Sequence, residues 1–322
     1  MKSSSFHKPR CRPARMKVLI LPLLLCAPLF SQDLQTSNDV AKSFRPRKPD
    51  TGRIQKSDAK FTPPPWPPVD VDASELVVDS NKDCELPKVL KAASQHAAEF
   101  SANLDRFTAT EIIQSADAQK YGAWTHLQAR TFDYMALVTH QRSGISYIDE
   151  SRIEKGGSPP PAIRTEGLAV TALIFHPQNI GAFATECEGL GRWQGKPSWI
   201  VHFAQRPDAP ADFQVLHVAD KRYPVRLKGR AWFAADTYEI EHIDVDLLEP
   251  IPEILLATEH LSIDYGSVGF TNGNSHLWLP QQADFYLDIG NRHFFNHHQL
   301  SHFLLFSVGV QQDTKQPKLP AE

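Results

Sequence analysis

The chain has 322 residues, of which 41% are hydrophobic and 22% charged, and its formal net charge is −3 at pH 7. This length accommodates one large domain or two small ones, and the apolar content is ordinary for a globular protein. The slight negative charge excludes the general excess of basic residues on which bulk attraction to nucleic acid depends.

The N-terminal residues predict export. A basic segment from Lys2 to Lys17 precedes an apolar run from Val18 to Phe30. This run is shorter than the about 20 apolar residues that a membrane-spanning helix needs, so we expect a cleavable signal peptide over residues 1–31. The alternatives are translation from Met16, an uncleaved anchor and acylation at Cys26.

Residues 32–80 lack sustained periodicity and predict a disordered, proline-rich linker. Their most distinctive part is Pro63-Pro64-Pro65-Trp66-Pro67-Pro68, which favours extended polyproline II and cannot pair regularly. A docking peptide centred on Trp66 is the alternative. We also expect a disordered tail over residues 313–322.

Two of the four cysteines, Cys84 and Cys187, would remain after removal of the signal peptide. In an exported protein an even pair of cysteines favours a disulfide. Such a bridge would close a loop of about 100 residues, for which chain-entropy arguments give up to about 4–5 kcal/mol of stabilisation. Two buried free thiols are the alternative.

Residues 85–104 predict an amphipathic helix, because apolar residues recur there at helical spacing. Pro87 suits the first turn, and Asp83 is a reasonable N-cap. The apolar stripe includes Leu90 and Phe100 and must be buried. A β-sheet is the only large partner that the sequence offers to it.

From Phe107 onward the chain reads mainly as alternating strands, interrupted by a short helix that we expect over Leu168–Phe175. The clearest pattern lies in Pro224–Pro250, where the alternation changes phase and a β-bulge near His242 would restore one apolar face. The pair Asn272-Gly273 predicts a hairpin turn. Roughly nine to eleven strands without a strand–helix–strand rhythm indicate an antiparallel sheet.

A group of histidines near the C-terminus is a candidate for a metal site. Zinc needs imidazoles that converge on one point. On a strand, two residues four apart share a face but lie about 13 Å from each other. We therefore expect no metal site and interpret these residues as core or surface histidines: His293, His297, His298 and His302.

Asp244 and Asp246 would lie about 7 Å apart on one strand face, a spacing that suits a glycosidase pair. Because they alternate with Ile243 and Val245, the simpler interpretation is the solvent-facing side of a strand. We therefore predict neither catalytic nor cofactor-binding residues. A hydrolase that uses these acids or the C-terminal histidines is an alternative.

The run Leu227-Lys228-Gly229-Arg230-Ala231-Trp232, with a turn at Asp236-Thr237 and an alternating strand from Ile240 to Leu247, resembles the periplasmic lipoprotein-carrier superfamily typified by LolA and LolB. Those proteins also combine helices with many antiparallel strands. The resemblance covers about residues 84–310 in layout and 225–250 in motif. It implies an open half-barrel whose concave face holds helices around a dry cavity for acyl chains.

These patterns together predict an α+β fold over residues 81–312. The expected architecture is a curved antiparallel half-barrel of about nine to eleven strands, with the amphipathic helix packed on its concave face. The apolar side of the sheet would line a ligand cavity, for which the candidates are Leu227, Phe233, Val245 and Phe285.

The functional hypothesis is a non-enzymatic exported protein, periplasmic or associated with the outer membrane, that binds a hydrophobic or lipidated ligand. A lipid or a lipoprotein acyl chain is the expected partner, and peripheral membrane association or secretion would fit. The alternatives are a module that docks another envelope protein or senses envelope stress without a ligand, and the hydrolase. No cofactor and no nucleic acid is expected.

Overall fold

The computed structural model describes residues 62–306, except 80, 120–121, 141–145, 157–162, 211–212, 219–220 and 270–275. The predicted signal peptide, the first part of the predicted linker, the Asn272-Gly273 turn and the predicted C-terminal tail lie outside the described residues.

The described residues form one α-helix, α1 (Leu86–Asn103), and twelve strands. In chain order the strands are β1 (Arg106–Gln119), β2 (Thr125–His140), β3 (Ser146–Glu154), β4 (Phe183–Trp193), β5 (Lys196–Gln205), β6 (Gln214–Val218), β7 (Lys221–Val225), β8 (Leu227–Ala234), β9 (Ile240–Leu247), β10 (Leu256–Gly269), β11 (His276–Ile289) and β12 (Arg292–Phe306).

Ten of these strands build a single open sheet, in the spatial order β3-β2-β1-β12-β11-β10-β9-β8-β5-β4, and every neighbouring pair is antiparallel. Strands β6 and β7 form a separate antiparallel pair. Most neighbours in the large sheet are consecutive in the chain, as expected for strands joined by short turns.

The α+β half-barrel expected from the sequence is wrong. The fold is mostly antiparallel β with one 18-residue α-helix, and the large sheet is not closed. No helix packed on a concave face is seen in the described part of the chain. Helix α1 contacts a short 3-10 helix, Thr171–Phe175, where Ser94 Oγ donates a hydrogen bond to the Phe175 carbonyl over 2.7 Å. This contact was not expected, because the sheet was the only large partner evident for α1 in the sequence.

The ends of the helical segments also differ from expectation. Pro87 lies in the first turn of α1 as predicted, but the N-cap position belongs to Glu85, which makes no side-chain capping bond, and not to Asp83. The short helix expected over Leu168–Phe175 forms over part of that range, as the 3-10 helix Thr171–Phe175. The run ends before Pro177, because the residue preceding a proline disfavours helical dihedrals.

The phase change predicted in the central hairpin is confirmed. Trp232 pairs with His242, but the next residue of β8, Phe233, pairs with Ile240. Glu241 is therefore the extra residue of a β-bulge. Its carboxylate accepts a hydrogen bond from the buried hydroxyl of Ser198 over 2.6 Å.

Alternation along β9 and β10 gives the large sheet two different faces. The apolar face includes Val245 and Leu261, which lie opposite each other and belong to the hydrophobic core. The polar face includes Asp246 and His260, another opposed pair, whose side chains are hydrogen-bonded over 2.7 Å.

Residues 62–79, which the sequence assigns to the linker, contact the polar face. The Trp66 ring stacks on the His293 ring with centroids 4.2 Å apart. The Val71 amide donates a hydrogen bond to Asp246 Oδ2 over 2.6 Å. The ring and the amide therefore give this part of the segment specific partners on β9 and β12.

Cys84 and Cys187 form a disulfide, with Cα atoms 6.3 Å apart. It joins the residues just before α1 to β4, so it ties the helix to one edge of the large sheet. Within the described residues, none of the helices has the length and apolar character needed to cross a membrane.

Candidate functional site

A cavity of about 830 Å³ lies on the apolar face at β10 and β11. Every second residue at the end of β11 lines it, namely Phe285, Leu287 and Ile289. Because side chains alternate along a strand, these three share the same side of the sheet. They form a continuous apolar surface on this side of the cavity.

Two other parts of the chain complete the lining. Residues 163–182 contribute Val170, which precedes the 3-10 helix, and Leu173, which lies within it. The other part is Leu216 of β6 and Phe213, the residue that precedes β6. The lining also includes exposed side chains, so the cavity reaches the protein surface. The exposed lining residues are Tyr147, Arg164, Glu166, Gln178 and Pro210.

The four residues predicted to line a cavity have different positions. Phe285 lines the large cavity. Leu227 and Val245 are buried in the hydrophobic core, 3% and 5% exposed. Phe233 is also buried; it packs edge-on against Phe175 with ring centroids 4.9 Å apart and lines a smaller cavity of about 60 Å³ beside α1. The structure therefore brings one of the four to the large cavity.

Glu259 is the buried ionisable residue of the cavity lining. Its Oε1 accepts a hydrogen bond from Gln214 Nε2 over 2.7 Å, whereas Oε2 is buried without a hydrogen-bond partner among the described residues. Burial raises the pKa of Glu259 to about 7; the Gln214 hydrogen bond opposes this rise and the nearby Glu166 charge adds to it. The carboxyl group therefore changes charge near neutral pH.

Sequence reasoning missed Glu259, although a local signal was available. Leu261 and Ile263 alternate with polar residues in β10 and mark the apolar phase of that strand. Extending the phase back by two residues places Glu259 on the apolar side. An acid in an apolar phase is the pattern that could have identified it.

A second buried polar cluster lies on the same face at β1 and β12. His298 bridges two side chains: its Nδ1 is 2.8 Å from Glu111 Oε1 and its Nε2 is 2.9 Å from Thr165 Oγ1. The order hydroxyl, imidazole and carboxylate is that of a nucleophilic triad. However, Thr165 is 2% exposed and the other two are fully buried, so a substrate has no access to the hydroxyl in this structure.

Electrostatics in this cluster favour a structural role. Burial lowers the pKa of His298 and outweighs the effect of Glu111, so the imidazole stays neutral. Burial alone would raise the pKa of Glu111, but His298 and Arg152 together hold it below its ordinary value. The Glu111 carboxylate is therefore balanced by Arg152 and lies beside a neutral histidine.

The four C-terminal histidines of the sequence analysis do not converge. His293 stacks on Trp66, His297 Nδ1 lies 2.6 Å from Asp284 Oδ1, His298 is buried beside Glu111, and His302 is exposed. Within the described ranges, no group of three or more His, Cys, Asp or Glu side chains has an arrangement suited to a metal ion.

The two aspartates of the sequence analysis each have a histidine partner. Asp244 Oδ1 lies 2.9 Å from His242 Nε2, and Asp246 Oδ1 lies 2.7 Å from His260 Nδ1. Asp246 is also 4% exposed and accepts the Val71 amide bond. The two carboxylates are thus engaged in side-chain pairs on the polar face rather than directed together at an open cleft.

No protein-family model matches this chain, and no curated protein matches it. Among solved structures, a DUF1329 family protein from Desulfovibrio piger is similar over 68% of this chain and 92% of its own, with 9% identity and a TM-score of 0.38. A domain described as an outer membrane lipoprotein-sorting protein, from Vibrio parahaemolyticus, is similar over 70% of this chain and 95% of its own, with 9% identity and a TM-score of 0.35. At these scores neither similarity indicates a function for this chain.

Proposed function

We propose that this chain is an exported, non-enzymatic protein that binds a hydrophobic or lipidated ligand in the cavity between β10, β11, β6 and residues 163–182. The observation that carries the proposal is a cavity of about 830 Å³ with a mainly apolar lining that reaches the surface. Ligand sites in proteins are typically concave, mostly apolar and about 300–1,000 Å³ in volume.

The chemistry of the lining favours an extended hydrocarbon chain. Phe285, Leu287 and Leu173 offer dispersion and hydrophobic contact but no directional recognition. Burial of each methylene group gives about 0.8 kcal/mol. A chain of about ten methylene groups therefore gains about 8 kcal/mol, which corresponds to a Kd of about 1 μM before the cost of immobilising the chain is subtracted.

The proposed location is the periplasm or the outer-membrane surface. The Cys84–Cys187 disulfide supports an oxidising compartment, because such bonds form and persist mainly outside the reducing cytosol. The basic and apolar N-terminal sequence of residues 2–30 is consistent with export.

Titration with a fluorescent acyl-chain probe tests the proposal. Ala182 lines the cavity, so Ala182→Trp would fill part of it and should weaken probe binding by at least about tenfold. Ala184 is exposed on β4 and outside the cavity lining, so Ala184→Trp is the matched control and should bind like the original protein. Absence of binding to the original protein, or equal effects of both variants, would overturn the proposal. Circular dichroism of each variant would verify its fold.

A further inference from the structure

Glu259 is an unusual member of an apolar cavity. Its side chain belongs to the apolar face of β10, and the residue is only 7% exposed. One carboxyl oxygen has the single described hydrogen bond, from the Gln214 amide, and the other oxygen is buried and unpaired in the described part of the protein. Buried polar atoms in native proteins are almost always hydrogen-bonded, so an unpaired one requires an explanation.

The surroundings of Glu259 do not compensate its negative charge. The other ionisable residues that line the cavity are Glu166, Arg164 and Tyr147, and all three are exposed. Glu166 adds negative charge near Glu259, and among the described ion pairs none joins Glu259 to a cation. Gln214, on β6, is neutral. An ionised Glu259 is therefore an uncompensated anion at an apolar wall, which is costly unless a cation binds to it.

We propose that Glu259 is the polar anchor of the cavity and that the ligand carries a protonated amine next to its apolar chain. This inference rests on the proposed function and specifies the ligand class. An ionised carboxylate has about four acceptor positions, so an ammonium group could share it with the Gln214 amide. A charge-assisted hydrogen bond of this kind is about twice as strong as a neutral one.

The ionisation of Glu259 gives the interaction a pH dependence of defined sign. With the pKa of Glu259 raised by burial to about 7, the carboxyl group is mainly neutral in mild acid and mainly ionised in mild base. An alkylammonium ion keeps its charge throughout this range, since amines of this type titrate near the lysine value of about 10.4. Amine binding should therefore strengthen as the pH rises through neutrality.

Two sources could supply the same chemistry. One is a free long-chain amine, and the other is the ammonium group of an aminophospholipid. Both present N–H donors beside a hydrocarbon chain. A choline headgroup is also cationic but has no N–H donor, so it provides a comparison in which charge is retained and hydrogen bonding is lost.

The inference is tested by measuring how well dodecylamine, dodecanol and dodecanoate displace the fluorescent acyl probe. The measurements are made at about pH 5.5 and about pH 8.5, below and above the pKa of Glu259. The original protein should bind dodecylamine at least about tenfold more tightly at the higher pH, whereas dodecanol binding should be unchanged. Glu259→Gln should abolish this pH dependence and keep dodecanol binding, which also shows that the variant is folded. Glu186→Gln, which changes an exposed acid of β4 outside the cavity lining, is the control.

The outcomes separate the two proposals. One outcome is that dodecanol binds, but dodecylamine binds no more tightly at about pH 8.5 than at about pH 5.5 and Glu259→Gln does not change its binding. In that case the anchor is wrong and the proposed function stands. Preferential binding of dodecanoate also overturns the anchor. If none of the three ligands binds, both proposals fail. Uptake from vesicles of phosphatidylethanolamine but not of phosphatidylcholine, lost in Glu259→Gln, would assign a lipid headgroup; binding of dodecylamine without lipid uptake would assign a free amine.

Discussion

Arg152 and Glu111 form a two-point ion pair inside the protein. Arg152 Nε lies 2.6 Å from Glu111 Oε2, and Nη2 lies 3.1 Å from Oε1. The arginine side chain is 13% exposed and the carboxylate is fully buried. His298 contacts the same carboxylate, so Glu111 connects β12 to the edge strand β3 through charge-assisted bonds.

Arg152→Met should strongly destabilise the fold, because it leaves the Glu111 carboxylate buried without its countercharge. The expected loss in the free energy of unfolding is about 3–5 kcal/mol, measured by urea denaturation. Lys155→Met is the matched control. Lys155 pairs with Asp133 at the surface, where both side chains are largely exposed, and its loss should cost less than about 1 kcal/mol. Similar losses for the two variants would contradict the assigned role of the buried pair.

Glu259 should make the ligand-free protein less stable as the pH rises. Burial raises the pKa of Glu259 from 4.5 to about 7, so over this interval the folded protein holds a proton that the unfolded chain releases. The stabilising contribution of that proton is complete below pH 4.5 and is lost as the pH rises through about 7. It corresponds to about 3 kcal/mol.

Urea denaturation at about pH 5 and about pH 8 measures this effect. Relative to Glu259→Gln, the original protein should lose on the order of 3 kcal/mol of unfolding free energy between these two pH values. Comparison with the variant cancels the contributions of other groups, such as His298. A difference between the two proteins that stays constant with pH would show that Glu259 does not titrate as described.

Gly229→Ala should destabilise the central hairpin. A Cβ atom at this position would collide with the Asp244 carbonyl oxygen and the Phe203 ring. Backbone oxygen cannot move away cheaply, so we expect a loss of about 1–3 kcal/mol, measured by thermal or urea unfolding. Gly181→Ala is the control, since a Cβ there meets no atom within 4 Å. An unchanged stability of Gly229→Ala would mean that β8 and β9 do not approach each other this closely.

Reduction of the Cys84–Cys187 bond should also lower stability. The two cysteines are separated by 103 residues in sequence, so the bond restricts a long loop of the unfolded chain. Chain-entropy arguments give up to about 4–5 kcal/mol. Urea denaturation with and without reductant measures this difference, and the double variant Cys84→Ser, Cys187→Ser should not respond to reductant. A reductant effect that persists in the double variant would assign the effect to other groups.

Features encoded by neighbouring residues were predictable. The phase change around His242 is visible in a few residues, and it correctly indicated the bulge between β8 and β9. Phe285 was assigned to the apolar side of its strand by alternation, and it does line the large cavity. Local alternation identifies which side of a strand is apolar, because successive side chains point to opposite faces.

Features that depend on distant residues were not predictable in this way. Glu111 and His298 are 187 residues apart in sequence, and no local pattern shows that they meet. The contact of α1 with Thr171–Phe175 was not predicted, because that segment forms only a short 3-10 helix. Alternation also could not distinguish Leu227, which is buried in the core, from a residue that lines a cavity.

Photo-crosslinking with an acyl chain that carries a diazirine near its end is the most direct test of ligand binding in the cavity. The account predicts crosslinked peptides from residues 163–182, 213–216 and 285–289, with labelling suppressed by excess dodecanol. Crosslinks confined to exposed apolar side chains elsewhere, such as Leu137, Ile153 and Leu304, and insensitive to dodecanol, would contradict it.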